Sequence, residues 1–241
     1  MAHRIIIALF AFGLLSYASE AQSWNKGSIS GEGEVVTQEI TLDALTGVNL
    51  GFSGNVILTQ GSPQKIVMEG QQNILDNIKR EVKNGTWNIV FDKSVHNAKD
   101  VTVRITMSTL KELGLGGSGS IKSTGKFTGL GDLDINLSGS GNITFEYEAQ
   151  ETDLNLSGSG EVDLAGSSKS LEIGISGSGE VDAPKLTTDD CEIHISGSGD
   201  ASVHANQNLE THISGSGDVE YSGSASVTTR ISGSGSVSKI K

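Results

Sequence analysis

The chain has 241 residues, a formal net charge of -12, 32 glycines, two prolines and one cysteine. That length can bury a substantial core in one domain or two, while the acidic balance excludes nucleic acid and anionic membrane surfaces, which select basic patches. Aromatic residues make up only 5 %, few for a conventional core, and the scarcity of proline excludes collagen-like and proline-rich spacers.

His3 and Arg4 precede an apolar run, Ile5 to Leu15, followed by "SYASEA" ending at Ala21. Residues 1–21 therefore read as a signal peptide, cut after Ala21 to leave Gln22 as the new N-terminus. The run is short for a bilayer span, though an uncleaved anchor is the alternative. No cysteine stands at the cut, which disfavours a lipid anchor, and no second apolar segment follows. The expectation is an exported chain, in the periplasm, on the outer surface or outside the cell.

Residues 22–110 form an irregular first half of the 22–241 domain. "ISGEGEVV" (Ile29 to Val36) and "LGFSGNVIL" (Leu50 to Leu58) read as strand–corner–strand units, divergent or capping. "QKIVMEG" reads as a strand, and "NILDNIKR" (Asn73 to Arg80) as a short helix. "EVKNGTWNIVF" places Asn84-Gly85 between alternating runs, a strong hairpin signal, and "VTVRITM" (Val101 to Met107) is another strand.

Residues 111–241 carry a repeat. Copies of an SGSG tetrad begin at Gly116, Ser138, Ser157, Ser176, Ser196, Ser214 and Ser232, at spacings of 22, 19, 19, 20, 18 and 18. One residue before the tetrad stand Leu115, Leu137, Leu156, Ile175, Ile195, Ile213 and Ile231; two further back stand Leu113, Ile135, Leu154, Ile173, Ile193, Thr211 and Thr229. After it come Ile121, Ile143, Val162, Val181, Ala201, Val219 and Val237. This is period-two alternation on both sides of a corner, with one apolar face. A period near 19 is too short for a strand–helix unit and suits one coil of a β-solenoid, whose parallel strands stack at roughly 4.8 Å. Glycine supplies positive φ or close approach at the corner; serine can hydrogen-bond across it or to its copy in the next coil. The irregular half should begin the solenoid and cap its end, and Lys239 and Lys241 should protect the other edge. Cys191, in a column with Leu133, Leu171, Leu209 and Val227, reads as a core residue rather than a reactive thiol.

Chemistry is sparse. "GLGGSG" (Gly114 to Gly119) matches a dinucleotide fingerprint in form only, because a strand follows it where a helix is needed. Glu161, Glu180, Asp200 and Asp218 follow successive tetrads and form an acidic column, weak candidates for Ca²⁺; against this, the second turns lack the repeated calcium-binding unit of β-rolls. No other cofactor is expected. Asn136, Asn155, Gly174, His194, His212 and Arg230 share another outward column, where the two histidines should stack close enough to share a metal but lack a third ligand in register. Asp189-Asp190 is a tempting acid pair, but adjacent carboxylates on a turn are not an acid–base pair across a cleft, so no enzyme is expected.

The opening "GEGEVVTQEITLDALTGVNLGFSGNVILTQG", the segment "VMEGQQNILDNIKREVKNGTWNIVF" and the repeated "ISGSGxV" resemble a secreted bacterial family, common in Bacteroidetes, described as the auto-transporter adhesin head GIN domain. The resemblance covers nearly all of the mature chain. It implies an all-β, single-stranded, right-handed parallel β-helix with rungs of about 18–22 residues and an adhesin head, and it supplies no catalytic residue. No segment of this chain reads as the membrane-embedded barrel of an autotransporter. The leading expectation is a non-enzymatic cell-surface interaction module offering flat polar faces, with Asn136, Asn155, His194, His212 and Arg230 as the ligand-facing set. Its partner would be a glycan or an extracellular or envelope protein, and the chain itself a monomer or an end-to-end or side-by-side homodimer. An envelope scaffold without external ligand is the alternative, and a polysaccharide-processing β-helix enzyme a third reading.

Overall fold

The computed structural model describes residues 27–240; the signal-peptide reading and Lys241 lie outside them. The described chain is a β-solenoid of about seven turns with an irregular N-terminal part.

The regular coils are long strands, Asn142–Gly158, Glu161–Gly177, Glu180–Gly197 and Asp200–Gly215, each running from one tetrad to the next. The expected second turn bends the backbone without ending the strand, and the ladder shifts register there. Each strand pairs in parallel with its copy one coil away, and the tetrads stay in register: Ser157 on Ser176, Ser176 on Ser196, Ser196 on Ser214. Differences in coil length are absorbed elsewhere, as register shifts around Ala165 and between Ala183 and Thr187, on the side away from the tetrads.

The corner works through the main chain. Gly139, Gly158, Gly177, Gly197, Gly215 and Gly233 hold φ between +126° and +141°, a region that penalises any Cβ. The last glycine of each tetrad has another reason: a Cβ on Gly160 would lie 2.6 Å from the Gly141 carbonyl oxygen and 2.6 Å from Leu137. Such contact lets Ser159 N donate to Gly139 O (3.0 Å), Ser178 N to Gly158 O (2.9 Å) and Ser198 N to Gly177 O (2.8 Å). The expected serine-hydroxyl bonds are not what holds the corner; backbone amides hold it.

Inward columns fill the interior as the alternation requires. Leu113, Ile135, Leu154, Ile173 and Ile193 are buried in one, Ile121, Ile143, Val162, Val181 and Val219 in another, each large side chain contributing about 1.5–3 kcal/mol on burial. Phe127, Phe145 and Tyr147 pack together in the wider early coils, with centroids 5.1 and 5.5 Å apart. Thr152 and Thr211 interrupt apolar columns, and each finds a partner, Ser168 at 2.9 Å and Thr229 at 3.0 Å. Cys191 is buried in its column and the surrounding apolar packing pushes its thiol up to about 12.

The first half departs from chain order. Gly47–Leu50 and Asn55–Gln60 form a coil beneath Glu112–Leu115 and Ser120–Ser123, as "LGFSGNVIL" implied. The terminal coil beneath it, Thr86–Ile89 with Thr102–Met107, comes later in the chain. "ISGEGEVV" is not a coil. Ser28–Ser30 pairs with Ser94–His96 in a separate two-stranded sheet, and Val35–Ile40 runs antiparallel to Lys65–Gln71, which runs antiparallel to Thr102–Met107. These antiparallel strands occupy the edge that another coil would use. Val35 and Val36 stay exposed because they face no inward column.

The hairpin forms as expected, with Asn84 at φ 52° and Gly85 at φ 82° between Val82–Lys83 and Thr86–Ile89. The helix is shorter than the sequence predicts, a single turn over Gln72–Leu75. Beyond it the backbone is captured by the facing segment: Lys79 N donates to Val90 O (2.9 Å), Asp92 N to Asn77 O (2.8 Å), and the Asn77 side chain bonds both main-chain groups of Lys93. Ile74 and Leu75 are buried, and Trp87 donates its Nε1–H to Lys79 O at 2.8 Å. At the opposite end Ser226–Gly233 and Ser236–Lys239 form the last edge, where Ile231 is 43 % exposed. Lys239 lies over the Tyr221 ring there.

Gly158→Ala is expected to destabilise the fold by about 2–4 kcal/mol, through positive φ and the clash with Gly139. Ser157→Ala next to it should cost less than about 0.5 kcal/mol; urea unfolding of the two variants separates a main-chain corner from a serine ladder. Cys191 should be inert to an aromatic disulfide reagent at pH 8 in the native protein and titrate fully once the protein is unfolded.

Candidate functional site

The strands leading into each tetrad form one flat face, and parallel register turns its outward residues into columns. Two residues before the tetrads, Asn136, Asn155, Gly174, His194, His212 and Arg230 stand opposite one another in succession. The candidate set is thus brought together on one side of the molecule. Beside it runs a column of tetrad serines, Ser157, Ser176, Ser196, Ser214 and Ser232, whose exposed hydroxyls make no hydrogen bond within the described residues. An open groove of about 600 Å³ follows the two columns. Gly174, between Asn155 and His194, has no side chain, and the Asn155 carboxamide leans over it, with Oδ1 2.9 Å from where a Cβ would stand.

The His194 and His212 rings stack with centroids 4.9 Å apart and planes 9° from parallel. Each is tied to the glutamate two residues earlier on its own strand, His194 Nε2 to Glu192 Oε1 at 2.8 Å and His212 Nε2 to Glu210 Oε1 at 2.9 Å. Period-two alternation makes i and i+2 neighbours on one face, so this pairing is built into the strand. Arg230 Nη1 donates to Glu210 Oε1 at 2.9 Å and lies 3.2 Å from His212 Nε2. The hydrogen bond from His212, with help from Arg230, holds the Glu210 carboxyl below its ordinary range.

Those glutamates belong to a column absent from the sequence reading. Four residues before the tetrads stand Glu112, Asp134, Asp153, Glu172, Glu192 and Glu210, each opposite the next. The signal was available in the tetrad alignment at that offset. All of them but Glu112, together with Asp132, Glu151 and Asp190, border a second groove of about 500 Å³. Several are relieved by neutral donors: Glu112 accepts from Asn49 (2.8 Å) and Thr86 (2.7 Å), Asp153 from Asn155 (2.9 Å), and Asp190 from Asn208 (2.6 Å). At Asp134, partial burial and then the charges of Asp153, Glu112 and Asp132 raise the carboxyl above its ordinary value.

The other acidic column lies past the corner, on the strands that leave the tetrads. Glu161 stands opposite Glu180, and Glu180 opposite Asp200. Asp200 Oδ1 accepts the Asp218 amide at 2.8 Å, and Asp218 Oδ1 accepts both the amide (2.8 Å) and hydroxyl (2.7 Å) of Ser236. At its C-terminal end this column therefore caps the main chain of the following coil.

The geometry defines a class, a β-solenoid that displays repeated polar columns on flat faces. Residues 44–225 match the family described as "Putative auto-transporter adhesin, head GIN domain", and the chain belongs to that family. Among solved structures it is similar to a "putative lipid binding protein" from Parabacteroides distasonis, 26 % identical over 89 % of this chain and 100 % of that one, with TM-score 0.74. It is also similar to a "putative adhesin" from Bacteroides fragilis, 24 % identical over 88 % of this chain and 100 % of that one, with TM-score 0.80. A "putative adhesin" from Parabacteroides merdae, 20 % identical over 89 % and 99 %, with TM-score 0.69, has the same fold. No curated protein matches the chain. Among the described residues no helix is long and apolar enough to cross a membrane.

Because the raised Asp134 carboxyl binds its proton better in the folded chain, its repulsion is present at neutral pH and fades as pH falls through that value. Asp134→Asn is expected to raise stability at pH 7 by less than about 0.5 kcal/mol after solvent screening. The gain should vanish in acid, as thermal unfolding at pH 7 and pH 3 would show.

Proposed function

We propose that the chain is an exported, non-enzymatic interaction module of the cell surface, and that the groove along Asn155, His194, His212 and Arg230 receives an extended polar polymer, foremost a glycan. The observation that carries this reading is the ladder of free serine hydroxyls beside the Asn/His/Arg column. Donors and acceptors recur there at one set per coil, roughly every 4.8 Å. A polymer with repeating hydroxyls can meet several coils at once, gaining affinity through multiple weak contacts. The family and the neighbours described as adhesins support a surface interaction role.

Of the large exposed apolar side chains among the described residues, Val35 and Val36 lie away from the groove, whereas Ile231 lines it beside Arg230 and Ser232. The interior columns are filled by their own side chains.

On an array of bacterial and host glycans, with matrix proteins alongside, the purified protein should bind a small set of ligands. Asn155→Ala combined with His194→Ala should weaken that binding at least tenfold, about 1.4 kcal/mol, while Glu180→Gln on the other face should leave it unchanged. Protease treatment of intact cells should remove the protein while sparing a periplasmic control. A protected chain with no array ligand would favour the envelope scaffold instead.

A further inference from the structure

We infer that Glu192, His194 and His212 form a binding site for one late first-row divalent transition metal, with Zn²⁺ as the representative ion. This does not depend on the glycan reading; it follows from the ligand atoms themselves. One from each of the three side chains lies within 4.8 Å of the other two. A tetrahedral Zn²⁺ bound at about 2.0–2.2 Å holds its ligands about 3.3 Å apart. Closure requires rotation of the exposed Glu192 and His194 side chains and of the half-buried His212 ring, and the strands beneath them need not move.

Three features beyond the ligand count support the site. Stacked coils hold the two imidazoles 4.9 Å apart, and each Nε2 points to the glutamate two residues back on its own strand, so both nitrogens lie on the same side and a ring rotation out of the parallel stack turns their in-plane lone pairs onto one ion. Glu192 is already bonded to His194 Nε2 at 2.8 Å; a cation replaces the proton between them, and the neutral imidazole keeps its one proton on Nδ1. Gly174 occupies the position beside His194 in the adjacent coil, so no side chain from that position stands against the imidazole. Two imidazoles and one carboxylate suit zinc, copper or nickel; an all-oxygen set would suit calcium or magnesium.

Arg230 is the built-in competitor. Its guanidinium holds Glu210 and stands 3.2 Å from His212 Nε2, which is itself bonded to Glu210 at 2.9 Å, so it braces the glutamate that ties up the nitrogen the metal needs and adds a repelling charge. The side chain is 67 % exposed and can swing out when the cation enters, at some loss of affinity. Removing it should therefore strengthen binding, an outcome that a damaged fold cannot imitate.

The test is isothermal titration of the tag-free protein with ZnCl₂ at pH 7.5, with CaCl₂ in parallel. One Zn²⁺ per chain is expected, bound at least tenfold more weakly by His194→Ala, His212→Ala and Glu192→Gln. Binding should be unchanged in His204→Ala, whose ring bonds Ser222 elsewhere, and several-fold tighter in Arg230→Ala. Failure to bind Zn²⁺, an affinity indifferent to the three ligand substitutions, equal binding of Ca²⁺, or weaker binding by Arg230→Ala would each overturn the assignment. Loss of the glycan ligand with zinc binding intact would remove the functional reading and leave this one standing.

Discussion

Everything in the regular half depends on how closely one glycine corner can sit on the next. From Gly158 onward, the amide that follows the positive-φ glycine of each tetrad donates to the carbonyl of the equivalent glycine one coil back, at 2.8–3.0 Å where Ser159, Ser178 and Ser198 do so. No side chain can be inserted there, since a Cβ on Gly158 would fall 2.4 Å from the Gly139 oxygen. Because the corners are locked in register, the strands on both sides inherit it. A repeat in sequence thereby becomes a column in space.

That conversion explains both the strength and the tension of the surface. Inward columns add apolar burial coil by coil without large aromatic side chains. Outward columns bring like residues together, which is costly for carboxylates a rung apart. The chain answers locally: asparagine and threonine donors at Glu112, Asp153 and Asp190, histidine at Glu192, histidine and arginine at Glu210, and backbone amides at Asp200 and Asp218. The Asn/His/Arg face and the relief of the charge beside it are made by the same side chains.

Where period-two alternation met the tetrad, the fold was legible residue by residue, including the burial of Cys191 and the stacking of His194 on His212. Legibility failed where spatial order departs from chain order. Nothing in the sequence of Thr86–Ile89 marks it as lying beneath Gly47–Leu50, because parallel pairing with a non-consecutive coil leaves no local trace. The Gln72–Leu75 turn is cut short by partners around Val90 and Lys93 that are distant in type and pattern. At the site, the histidine column was visible, but its apparent lack of a third ligand came from searching along the column alone. Glu192 lies across it, two residues back on the same strand, where alternation returns to the same face.

Unequal coil lengths carry a further meaning. Coils of 18, 19 and 20 residues coexist because the surplus is taken up around Ala165 and between Ala183 and Thr187, away from the corner. One side of the molecule thus acts as an expansion joint, and the other as a ruler whose graduations never move. Point changes can rewrite the ruled face one mark at a time, and small insertions can accumulate at the joint without displacing it.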